Sequence, residues 1–154
     1  MPGYNLIPTD QCALLAVIDP DAYGASTVAS AYVSVSGYRR LMAVCSVGDM
    51  QSGSTVDFTI RQSQTAETSP ATAKAISGAS ITQFTKAGSD DNKQAIINLD
   101  VTALDLDNDF DCAAIQMVVG TAASDAAGYL FGFDPVYGAA SDNDVSTVDE
   151  IVTL

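Results

Sequence analysis

Alternating carboxylates are the side chains in this sequence whose spacing is best suited to chemistry. Asp105, Asp107 and Asp109 stand at every second position, like the first ligands of a calcium-binding loop, and calcium is held by six to eight oxygen atoms. Such a loop has Gly at its sixth position and Glu at its twelfth, where this chain has Phe110 and Gln116. A calcium site and a solvated acidic turn therefore both remain open, and calcium is the one candidate cofactor.

Two further groups of residues could bind another protein. Arg39 and Arg40 are adjacent basic residues; successive strand residues point to opposite faces, so at most one of them faces a partner, and arginine is enriched at interfaces. Pairing with a surface aspartate is the alternative. Near the N-terminus, Tyr4, Leu6 and Ile7 are apolar residues in a segment interrupted by proline. They either fold back onto the domain or dock on another chain.

Several catalytic arrangements are excluded by composition. The chain has 154 residues and no histidine, which rules out a His general base, a Ser-His-Asp triad and a His-ligated metal. Gly48 and Gly53 have the spacing of a phosphate-binding loop, but Ser54 stands where the lysine belongs and a predicted strand follows in place of a helix. We therefore predict a protein that is not an enzyme.

The charge balance excludes two classes of partner. Six Lys and Arg against 19 Asp and Glu give a net charge of −13, which opposes binding to a phosphate backbone. No apolar stretch approaches the ~18 residues of a membrane-spanning helix. We predict neither a direct nucleic-acid partner nor a membrane partner.

The pattern of apolar residues predicts an all-β protein. Alternation is clearest at residues 55–61, where Val56, Phe58 and Ile60 would face inward. The other predicted strands cover residues 31–36, 38–47, 94–101, 112–119 and 129–134. Short strands with turn-rich spacers are typical of a β-sandwich or jelly roll. We predict one such domain over residues 31–154.

Three details of this prediction concern segments with weaker patterns. Residues 1–30, with their Pro and Gly, are expected to form an extended arm that includes one candidate strand at 13–18. The Ala-rich stretch after Pro70 fits either a short surface helix or a loop. Cys45 and Cys112 lie in apolar runs and are expected to be buried free thiols.

Four stretches of the chain resemble a known group of proteins. They are residues 30–38 (SAYVSVSGY), 47–50 (VGDM), 91–99 (DNKQAIINL) and 132–138 (GFDPVYG). These stretches are similar to small proteins encoded in the head-gene region of tailed bacteriophages and prophages. The resemblance implies a virion structural protein, and the size and residue pattern of the chain fit a capsid decoration (cement) protein.

Such a protein is expected to be a β-rich homotrimer that is made in the host cytoplasm and binds outside the shell at local threefold positions. Its partners would be the major capsid protein and other copies of itself, and the family has no catalytic residues to transfer. Two alternatives remain. One is a tail, fibre or head–tail completion component, and the other is a calcium-dependent carbohydrate-binding module with metal at the three aspartates.

Overall fold

The computed structural model describes residues 6–153, and nearly all of its regular structure is strand. The strands are β1 (Cys12–Tyr23), β2 (Ser26–Ala29), β3 (Val33–Ser34), β4 (Tyr38–Met50), β5 (Thr55–Ser63), β6 (Lys74–Ser80), β7 (Phe84–Thr85), β8 (Gln94–Asp100), β9 (Cys112–Gly120) and β10 (Ser124–Pro135). One α-helical turn covers Pro8–Gln11, and 3₁₀ turns cover Lys86–Gly88, Val101–Ala103, Leu106–Asn108 and Ala140–Asn143. Within the described residues no helix has the length and apolarity needed to cross a membrane.

The strands form two antiparallel sheets that pack face to face. One has four strands in the order β1-β10-β4-β8, and the other has six, with β2-β9-β5-β6 as its main path, β3 on β9 and β7 on β5. The core between them includes Phe58 and Ile115 from one sheet and Leu41 and Leu130 from the other, all fully buried. The predicted all-β sandwich is confirmed.

The strongest alternating pattern behaves as predicted. Val56, Phe58 and Ile60 of β5 are buried in the core, while Asp57 and Thr59 between them are partly exposed on the outer face. The fully buried phenylalanine in the middle of β5 removes a large apolar area from water, which is the dominant favourable contribution to folding.

Residues 12–29 contribute strands to both sheets. The sequence predicts an extended arm here, but β1 pairs along the edge of the four-stranded sheet and β2 pairs with β9 of the other. Ala13, Leu15 and Ile18 of β1 are buried in the core, because this apolar run is long enough to cover the edge of the sandwich. The candidate strand at 13–18 lies within β1.

The Ala-rich stretch after Pro70 is a loop followed by strand β6, so the helix alternative is wrong. Ile76 and Ala79 of β6 are buried against the core, which a surface helix would not achieve. Gly78 has a φ of +79°, and the β5–β6 register shifts between Thr59 and Arg61. This bulge turns Ile76 and Ala79 inward where strict alternation would not.

The cysteines are free thiols, as predicted for Cys45 and Cys112. Burial raises the pKa of the Cys45 thiol to about 12, and burial with the neighbouring Asp111 raises that of Cys112 to about 11. Both thiols are therefore protonated and unreactive near neutral pH. Cys12 is half-buried at the start of β1.

Strand β10 places glycines on its inner face. A Cβ on Gly132 would lie 2.7 Å from the Tyr38 ring and 2.8 Å from Leu15 Cδ1. A Cβ on Gly128 would lie 2.8 Å from Phe58 Cε2. Large side chains from the neighbouring strands β1 and β4 and from β5 of the facing sheet already fill this space, so β10 has no inward side chain at these two positions.

We expect Gly132→Ala to lower the free energy of unfolding by about 1–3 kcal/mol, because the added methyl group overpacks a filled core. Urea denaturation measures this change. Gly24→Ala is the matched control, since a Cβ at that position would have no atom within 4 Å, and it should leave stability nearly unchanged. Equal effects of the two substitutions would contradict the assigned packing of β10.

Candidate functional site

The aromatic side chains of β10 point away from the core. Tyr129, Phe131 and Phe133 alternate with the inward positions Gly128, Leu130 and Gly132 and are each partly exposed. The rings of Tyr129 and Phe131 lie 6.5 Å apart between centroids at 33°. Large aromatic side chains stabilise a fold most when they are buried. Here, however, two of the inward positions are glycines and the three outward residues are aromatic.

Neighbouring strands extend this aromatic row into a continuous surface. On β4, Val44 is opposite Tyr129 and Met42 is opposite Phe131; Ile96 of β8 is opposite Val44 and is 59% exposed. On β1, Val17 and Leu14 flank the same aromatic rings. We call this surface the apolar face; it consists of Leu14, Val17, Met42, Val44, Ile96, Tyr129, Phe131 and Phe133.

The outer surface of the six-stranded sheet has the opposite character. Its central strand β5 presents Thr55, Asp57, Thr59 and Arg61 outward, and Gln116 of β9 lies opposite Thr59. We call this the polar face. The groups of the polar face can hydrogen-bond to water, whereas a contiguous apolar surface that water reaches is typical of a protein-binding site.

Charged residues stand at both ends of the apolar face. At one end the Arg40 guanidinium donates to the Asp134 carboxylate, which holds the pKa of that carboxyl below its usual range. Arg40 also lies opposite Asp100 on β8, and a groove of about 400 Å³ runs between them toward Met42 and Phe133. At the other end a second depression is lined by Pro20, Asp21, Ser46, Gly48 and Asp125, among others.

Four of the predicted interface residues, Leu6, Ile7, Arg39 and Arg40, are described and exposed, but they are not all free. Arg40 forms the ion pair with Asp134, which is the alternative that the sequence left open, while Arg39 is exposed beside it. Leu6 is 50% and Ile7 36% exposed, just before the helical turn that packs near the end of β10. Tyr4 lies outside the described residues.

The acidic turn is organised by the chain's own groups. The Asp105 carboxylate accepts hydrogen bonds from Lys74 and from Asn108 Nδ2, the latter at 2.8 Å. Asp107 belongs to the following 3₁₀ turn and Asp109 ends it with a φ of +62°. Within residues 6–153, no three His, Cys, Asp or Glu side chains come together in a group that could hold a metal. The calcium site stays one of the two predictions, and the bond from Lys74 to Asp105 favours the other, a solvated acidic turn.

Lys74 connects this turn to the six-stranded sheet. Its ammonium group lies 3.6 Å from the centroid of the Phe110 ring, and Phe110 is itself buried. Cation–π attraction and the bond to Asp105 act on the same group. The Asp105 N–H also donates to Gln62 Oε1 at 2.8 Å, so this aspartate joins the turn to β5 and β6.

We expect Asp105→Asn to reduce stability near neutral pH, and the difference from wild type to vanish in acid. Lys74 lowers the pKa of the Asp105 carboxyl, so its ionised form is favoured by folding. That contribution is present above the pKa of about 3.9 in the unfolded chain and is lost as the pH falls through the lower folded value. Urea unfolding across this pH range measures it.

Asp107→Asn is the matched control for this turn, because no ion pair of Asp107 is found among residues 6–153. It should show little loss. Melting temperatures with and without millimolar calcium test the calcium hypothesis separately. Because the Lys74 ammonium group already binds the Asp105 carboxylate, we expect calcium to leave the melting temperature unchanged. A clear rise in melting temperature with calcium that Asp107→Asn abolishes would contradict this expectation.

The comparisons with known proteins give no family. No protein-family model matches the sequence, and no curated protein matches it. Two solved virus structures resemble the fold. The matched chain in the structure of the infectious bursal disease virus Gt strain is 10% identical in sequence, with a TM-score of 0.40. The matched chain of the Gx strain is 11% identical, with a TM-score of 0.39. This chain is covered to 92% in both but spans only 40% of each matched chain. Similarity at these values carries no functional argument.

The apolar face was not predicted from the sequence. The strand at 129–134 was predicted, but an alternating pattern does not show which of its two faces is buried. Aromatic residues are ordinarily expected in a core. The informative residues are Gly128 and Gly132, which occupy the face opposite the aromatic rings. Glycine at positions that share one face of a strand signals a close approach by neighbouring side chains on that face.

Proposed function

We propose that this chain is a non-enzymatic capsid decoration protein of a tailed bacteriophage, which binds the outer surface of the assembled head. The resemblance of four sequence stretches to phage head-region proteins supplies the class of protein. The apolar face supplies the contact: eight apolar side chains on the outside of one sheet, on a domain whose other outer surface is polar.

The asymmetry of the two faces fits a protein that lies flat on a larger assembly. With the apolar face against the shell, its aromatic residues leave water, at about 25 cal/mol per Å² of apolar area buried. The polar face then points to solvent. The partner under this proposal is the major capsid protein, and the protein is located on the virion.

Binding to the assembled shell alone would stabilise that shell. A ligand that binds one state and not the other shifts the equilibrium by mass action, and the shift is repeated at every site on the head. The net charge of −13 keeps an abundant surface protein soluble and away from nucleic acid. None of these steps needs a reactive side chain.

We expect Phe131→Ser to weaken binding to purified heads by about 2 kcal/mol or more, roughly 30-fold, since aromatic residues central to an interface contribute most to affinity. Co-sedimentation of the purified protein with heads measures the affinity. Melting temperature should change little, because Phe131 lies outside the core.

Val118→Ser is the matched control. Val118 is 36% exposed on the outer side of the six-stranded sheet, so its loss removes a similar kind of side chain from the other surface. Binding to heads should be unchanged. Equal weakening by both substitutions would reject the apolar face as the contact, and attachment to tails in place of heads would support a tail component instead.

A further inference from the structure

Strand β8 is an edge strand of the four-stranded sheet, and its register with β4 shows which of its backbone groups point outward. It pairs with β4 in unbroken antiparallel register from Arg40–Asp100 to Ser46–Gln94. The Val47 N–H donates to the Lys93 carbonyl at 2.9 Å, so Val47 and Lys93 form a hydrogen-bonded pair. Because such pairs alternate, the odd-numbered residues of β8 bond to β4 and the even-numbered ones direct their backbone groups outward. These are Gln94, Ile96, Asn98 and Asp100.

The opposite edge of the same sheet is protected. Strand β1 has two register shifts and contains Pro20. The Leu14 N–H donates to Asp144 Oδ1 at 2.8 Å, and the Leu14 carbonyl accepts from the Val145 N–H at 2.7 Å. Bulges, proline and a covering segment are the usual means by which a protein prevents pairing at an edge.

Strand β8 has none of these protections among the described residues. Its register shows no bulge, and residues 94–99 (QAIINL) contain neither proline nor charge. No bond to the outward backbone groups of Ile96 or Asn98 is found in residues 6–153, and the Ile96 side chain is 59% exposed. A regular edge whose one charged residue is the last, Asp100, is a template for another strand.

We propose that β8 pairs with β8 of a second copy, antiparallel about a twofold axis, so that the two four-stranded sheets become one eight-stranded sheet. A register centred on Ile97 uses all seven residues of the strand. It places Ile96 opposite Asn98 and Gln94 opposite Asp100 of the other copy. All of these are positions whose backbone groups point outward, so each opposed pair exchanges hydrogen bonds.

Charge favours this antiparallel arrangement of two copies over a parallel one. Asp100 stands opposite the uncharged Gln94 and one residue along from Lys93, while the two Asp100 carboxylates are separated by six residue steps, roughly 20 Å. A parallel arrangement would bring the two aspartates together. The Ile96 side chains of the two copies become diagonal neighbours on the same face, within reach of each other.

The pairing would place two apolar faces side by side as one surface, but it does not depend on the proposed function. The resemblance implies a homotrimer, whereas a twofold pairing of edges forms a dimer. Measurements on the purified protein without heads therefore test the pairing alone, and binding to heads tests the proposed function alone.

Sedimentation velocity of the full chain and of Ile96→Pro tests the pairing. Proline removes the Ile96 N–H, which points outward and takes no part in bonds to β4, so an edge strand tolerates it. Two symmetric bonds are lost, and we expect the dimer dissociation constant to rise about tenfold or more. Asn98→Pro should act in the same way, and Ile96→Thr, which keeps the N–H, should have a much smaller effect.

Amide hydrogen exchange of the wild-type protein provides a measurement free of any substitution. The Ile96 and Asn98 amides should become protected as protein concentration rises, while Ile97, bonded to β4, should be protected at every concentration. A wild-type protein that sediments only as a monomer or a trimer overturns the proposal. So does a dimer that both proline variants leave intact, or exchange at Ile96 and Asn98 that is independent of concentration.

Discussion

Strand β10 carries glycines on one face and aromatic rings on the other, and the arrangement of the sandwich follows from this division. Tyr38 and Phe58 fill the space beneath Gly132 and Gly128, so the core is closed without any aromatic side chain from β10. The rings of Tyr129, Phe131 and Phe133 must therefore lie outside, in the middle of a sheet, where β4, β1 and β8 surround them with further apolar residues. The apolar face is thus tied to the way the core is packed.

The two outer surfaces of the sandwich differ in polarity. Threonines, Asp57 and Arg61 cover the six-stranded sheet, and the lysines bind aspartates in turns, as in the Lys86–Asp91 and Lys93–Asp90 pairs. These ion pairs stabilise loops at the rim and leave the centre of the four-stranded sheet without charge. A domain of this design is suited to lying against another protein with one particular side.

The sequence predicted the class of fold and most of the strands, because two-residue alternation reports a half-buried strand directly. It did not show features that tertiary packing decides. Strand β1 is longer than the candidate strand at 13–18 and forms a sheet edge, and β6 is a strand with a bulge near Gly78 that buries Ile76. The apolar face was missed for a similar reason, since only the neighbours Tyr38 and Phe58 show which side of β10 is inside. At the acidic turn the sequence left a calcium site and a solvated turn open, and it could not show that Lys74, distant in sequence, binds Asp105.

The proposed function requires that the four-stranded sheet turn its outer face to another protein. The most direct measurement is the orientation of the domain in electron density of an intact head to which the protein is bound. We predict density outside the shell, with Phe131 and its neighbours against the capsid surface and the six-stranded sheet toward solvent. Density with the six-stranded sheet against the shell, or heads that carry no density for the protein at all, would contradict this claim.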